Sequence, residues 1–82
     1  MNAKPATHPV DLVVHIDDTL GEQRRQDIEL AMRQEAGVLD AHFTRGRPHL
    51  MVVEYDPDAI DSFAILRDIH RQSVHAELVG PV

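Results

Sequence analysis

The chain has 82 residues, 43% apolar and 27% charged, with 14 acidic side chains against 8 basic ones and no cysteine. The absence of thiols excludes disulfides, thiolate zinc, iron–sulfur clusters and cysteine catalysis, and the formal charge of −6 argues against nucleic acid and anionic membrane surfaces. No apolar run approaches a membrane span and no basic start with an apolar stretch marks a secretory signal, so the expected location is cytoplasmic, without membrane insertion.

Residues 1–9 carry two prolines and no apolar period, which predicts a flexible tail ahead of a single domain over residues 10–80. Val10 to Ile16 reads as a strand, with Leu12, Val14 and Ile16 alternating against Asp11, Val13 and His15. Thr19 and Glu22 have the spacing of a capping box for a helix over residues 20–36. Leu20, Ile28, Ala31 and Met32 form its apolar side, and Gly37 is the expected left-handed residue past its end.

Val38 to Thr44 reads as a second strand, and Arg45-Gly46-Arg47-Pro48 as a hairpin connection. His49 to Tyr55 is apolar on both faces, the mark of a central strand. Asp61 is an N-cap for a helix from Ser62 to Gln72 with a stripe of Ile65, Leu66 and Ile69. Val74 to Val79 is the last strand.

Strand, helix, strand, strand, helix, strand predicts an α+β fold. Two right-handed strand–helix–strand halves joined by a hairpin make the ferredoxin-like βαββαβ sandwich. Its four-stranded antiparallel sheet has the order 4-1-3-2, with both helices on one face and the other face open.

With Ala36-Gly37-Val38, Val53-Glu54-Tyr55-Asp56-Pro57 and the apolar positions Ile60, Ile65, Ile69 and Val74, the chain resembles the heavy-metal-associated (HMA) domain family of copper chaperones and metal-pumping ATPase modules. The resemblance runs from about residue 10 to residue 79. It implies the same fold. The family's Cys-x-x-Cys loop, which binds a soft monovalent ion or zinc through two thiolates, falls on Gly21 and Arg24. Neither supplies a thiolate, and Arg24 places a fixed positive charge there. Leu20 stands roughly where the family has a loop methionine, and Val74 near its Tyr or Lys position. The resemblance therefore carries the fold and not the soft-metal site.

Six histidines supply the remaining metal chemistry. Alternation places His15, His42 and His75 on the open face with Glu54 and Glu77. The strand order makes His15 and His75 neighbours, so His15, His75 and Glu77 are candidate ligands for zinc, nickel or copper(II). His42, on the far edge strand, is out of reach, and His70 caps a helix end or faces water. The bland reading is a set of solvated sheet histidines with no cofactor at all.

Two other surfaces compete. Val13, Leu50, Val52 and Val79 form an apolar patch on the open face, suited to a protein partner or a homodimer. Arg24, Arg45 and Arg47 are candidate anion contacts at a helix start and a hairpin; a solvated surface is the simpler account of them. No nucleophile context is present, and Asp17-Asp18 reads as a strand end with capping acids rather than a catalytic pair. The expected function is non-enzymatic: an accessory or adaptor domain acting through protein contact, with a histidine metal site or a regulatory small-anion site as alternatives.

Overall fold

The computed structural model describes residues 8–81; the expected tail over residues 1–9 lies mostly outside them. The elements are β1 (Val10–Ile16), α1 (Glu22–Arg33), β2 (Val38–Thr44), β3 (Arg47–Tyr55), α2 (Ser62–His70) and β4 (Ala76–Pro81). The strands form one antiparallel sheet in the order β2-β3-β1-β4, which is the predicted topology.

Burial follows the alternation. Leu12, Val14 and Ile16 of β1 and Met51, Val53 and Tyr55 of β3 point inward, and Ile28, Met32, Ile65 and Ile69 come down on them from the two helices. Removing this apolar surface from water is the main stabilising term in a chain with no covalent staple. The opposite sheet face is only half covered at Val13, His15, Leu50, Val52 and Glu54.

Several boundaries differ from expectation. The N-cap of α1 is Gly21, with no side-chain cap bond, so the predicted Thr19–Glu22 capping box does not form. The helix also stops earlier, at Arg33. Gln34 and Glu35 donate to the carbonyls of Ala31 and Met32, the three-residue closure that tightens a last turn. Gly37 does have a positive φ of 94°, but in the turn into β2 rather than directly after the helix. The carbonyl of Gly37 accepts from Asp56 N at 2.8 Å.

At α2 the expected cap is present, with Asp61 accepting from Ala64 N at 2.8 Å. Ser73, with a φ of 64°, turns the chain afterwards. It delays β4 to Ala76 and leaves Val74 buried ahead of the strand and His75 outside it.

Two irregularities shape the open face. Val13 pairs with Gly80 and Val14 with Leu78, so Val79 is the extra residue of a bulge. Thr44 pairs with Arg47 while Phe43 pairs with Met51, leaving Pro48, His49 and Leu50 without partners on β2. The hairpin itself is the two-residue turn Arg45-Gly46, with Gly46 at a φ of 80°.

Candidate functional site

The β1–α1 connection, where the resemblance would seat a soft ion, is closed by the protein's own hydrogen bonds. Arg24 donates to the carbonyl of Gln72, just past α2. That carbonyl lies at the negative end of a helix dipole, a natural partner for a guanidinium. Arg25 folds back onto the carbonyl of Leu20. Asp17 N donates to the carbonyl of His75 at 2.8 Å, and His75 N donates to Asp18 Oδ1 at 2.7 Å. The two loops are thereby tied together. The His75 amide, reinforced by its imidazole, outweighs the effect of burial and holds the Asp18 carboxyl below the usual carboxylate range.

These bonds decide where His75 goes. Its Nδ1 lies 3.3 Å from Asp18 Oδ1, and register sets Glu77, not His75, opposite His15. The expected cross-strand His15–His75 pair does not form, because the β4 ladder begins one residue beyond His75.

His15 instead meets acids. Its Nδ1 is 2.9 Å from Asp17 Oδ1, and donor atoms of His15, Asp17 and Glu77 all lie within 4.8 Å of one another. Asp17 arrives because it ends β1 two residues past His15, and Glu77 because it is the direct β4 partner of His15. His15 is half-buried and both acids are exposed. The 2.9 Å separation on the His15–Asp17 edge is that of a hydrogen bond. A cation on the edge would take the place of the shared hydrogen, which moves to Nε2 of His15.

Three further histidines make bonds of their own. His42, on edge strand β2, lies 3.1 Å from Asp40 Oδ2, and Arg33 Nε is 3.2 Å from Asp40 Oδ1. Burial pushes the Asp40 carboxyl up, but bonds from His42, the Ala41 amide and Arg33 outweigh it and leave it below the usual range. His70 Nε2 donates to the carbonyl of Ala76 at 2.8 Å, tying α2 to β4. His49 Nδ1 donates to the carbonyl of Ile16 at 2.8 Å, and its ring lies against that of His15.

The apolar open-face residues are contiguous in part. Val13 pairs directly with Val52, and Leu50 stands opposite His15. Val79, 60% exposed, sits in the β4 bulge. The arginines do not converge. Arg24 is engaged on Gln72, Arg47 is exposed, and Arg45 lines a cleft of about 450 Å³ with Arg25, Glu22, Glu29 and Phe43. Two carboxylates in that cleft oppose an anion, and Glu29 is occupied in accepting from Phe43 N at 2.7 Å.

Of the expected set His15, His75 and Glu77, the structure brings His15 and Glu77 together, and it adds Asp17 as their companion and His49 as a neighbour of His15, neither of them expected. Asp17 was legible as the residue that ends β1 beside His15. His49 was not, because strict alternation sets it with Met51 and Val53.

No protein-family model matches the sequence, and no curated protein matches it. Solved structures do. The copper binding domain of HMA7, a P-type ATPase, superposes with a TM-score of 0.79 at 18% identity, covering 88% of this chain and 96% of that one. The yeast copper transporter domain CCC2A gives 0.77 at 14% identity, covering 89% and 99%. The apo copper chaperone of Enterococcus hirae gives 0.74 at 18% identity, covering 83% and 98%. The chain thus has the ferredoxin-like fold of heavy-metal-associated domains, without their Cys-x-x-Cys motif.

Proposed function

We propose that this chain is a non-enzymatic accessory domain that binds a divalent cation on the open face of its sheet, through His15, Asp17 and Glu77. The observation that carries this reading is the convergence of one imidazole and two carboxylates, from β1 and its neighbour β4, within 4.8 Å. Structures of the same fold are named for copper binding, copper transport and copper chaperoning, which supports a metal-handling role. In this chain, oxygen and nitrogen donors replace thiolates, so the cargo shifts from a soft monovalent ion to a divalent one.

The test is calorimetric titration of zinc and manganese(II) into the wild-type chain and into Asp17→Asn and Glu77→Gln. Each substitution is expected to weaken binding about tenfold or more, as loss of a metal partner does. Absence of heat from the wild-type chain at millimolar metal overturns the reading. A second reading, contact with a protein partner, is favoured by the direct Val13–Val52 pair with Leu50 beside it. The small-anion reading has less support, since Arg24 is engaged on Gln72 and the Arg45 cleft is partly acidic.

A further inference from the structure

The register lays the open face out in rows that cross neighbouring strands. Glu54 of β3 stands opposite Asp11 of β1 on one side and Asp40 of β2 on the other, so one end of the face is a line of three carboxylates. The middle row is Val13 and Val52, with His42 beside them. The last row is Leu50, His15 and Glu77, with Asp17 close to both His15 and Glu77. An apolar strip thus lies between two acidic ends, which are about 13 Å apart along β1 at the rise of an extended strand.

The first acidic row works against folding, because like charges directly opposite each other on adjacent strands destabilise a sheet. Asp40 is offset by Arg33 and His42. Among the described residues, neither Asp11 nor Glu54 forms an ion pair, and the one Lys or Arg in the four strands is Arg47, beside the hairpin turn. Unoffset acids flanking half-exposed valines complement a partner of positive charge. A second copy fits badly. With acids at both ends, two faces laid together set acid against acid in either direction, and each chain brings a formal charge of −6.

We infer that the open face docks a basic protein segment whose apolar side chains lie between two groups of Lys or Arg. Val13, Val52 and Leu50 take the apolar part; Asp11 with Glu54, and Asp17 with Glu77, take the basic ends. The inference rests on the protein-contact reading and specifies its partner. A cation on Asp17 and Glu77 competes with one of the basic ends, so the test is run without metal.

The nitrogen-15-labelled chain is titrated, with EDTA present, with a synthetic peptide of two lysines, Leu-Val-Leu and two lysines, whose inner lysines are about 13 Å apart when extended. Control peptides carry glutamates for the lysines or serines for the core. Expected are saturable shifts at the amides of residues 11–15 and 50–54. Binding should be about fivefold or more weaker for Asp11→Asn with Glu54→Gln, and for the serine-core peptide. The double variant should melt at or above wild type, since it removes repulsion; a lower Tm shows that the row supports the fold and overturns the proposal. If the glutamate-ended peptide binds the same amides as well, or if those amides shift with chain concentration alone, the face is a contact surface and the basic partner is overturned. If no peptide and no increase in chain concentration moves them, the protein-contact reading fails too. The wild-type titrations decide the matter even if the double variant does not fold.

Discussion

At the scale of single residues, the β1–α1 loop is tied to its neighbours by the side chains it carries. Arg24 and Asp18 connect it to the segment after α2, and Asp18 does so with a carboxyl held below its usual range by the His75 amide. A carboxyl with a folded-state pKa below its unfolded value of about 3.9 adds stability that is complete above that value. The contribution is lost as pH falls through the folded-state pKa. Asp18→Asn keeps an acceptor oxygen and removes the charge. Its Tm is therefore expected to lie below that of wild type at neutral pH, with the gap closing on acidification below about pH 4. Thermal melts across that range check this, and a gap that stays constant down to the acid end contradicts it.

At the scale of elements, glycines with the same backbone sign carry different loads. Gly46 has a φ of 80° and nothing within 4 Å of where a Cβ would sit; Gly37 has a φ of 94°, and its Cβ would come 2.8 Å from Ile60 Cγ2 and 3.0 Å from Ala59 Cβ. Gly46→Ala is expected to cost about 1–2 kcal/mol from the left-handed conformation alone. Gly37→Ala adds overlap with the segment before α2, for a total of about 2–5 kcal/mol. Urea unfolding of the two variants separates the terms, and equal losses would show that the contact with Ile60 is relieved by a small shift. This difference also marks what the sequence could say. The period-2 and period-3.6 patterns, the Asp61 cap and the glycine turns made the order of elements and the buried set readable. Irregular positions were hidden, because a pattern has no term for a bulge or a delayed strand. The Pro48–Leu50 irregularity brings His49 to His15, and the left-handed Ser73 moves His75 out of β4 onto Asp18. The candidate site was legible as far as regular pairing built it, at His15 opposite Glu77.

At the scale of the whole molecule, the question is whether the scaffold lacks the capacity for a soft ion or only the donors. Gly21 is the N-cap of α1 at a φ of −71°, which any residue adopts, and no atom lies within 4 Å of where a Cβ would sit. Residues 21 and 24 are three apart at a helix start, a spacing that sets two side chains on the same side. Thiols there are ionised more readily because the helix N-terminus favours the anion. The double variant Gly21→Cys with Arg24→Cys is therefore expected to bind copper(I) in competition with a colorimetric chelator, under conditions where wild type binds none, since carboxylates and imidazoles suit soft ions poorly. The substitution also removes the Arg24 bond to Gln72, so the metal-free variant should melt below wild type and recover on adding copper(I), as any ligand bound only by the native state stabilises it. A folded double variant that fails to take copper(I) would place the lack in the loop's conformation, held closed by the Asp17–His75 and Asp18–His75 bonds. Recovery would place it in the side chains alone.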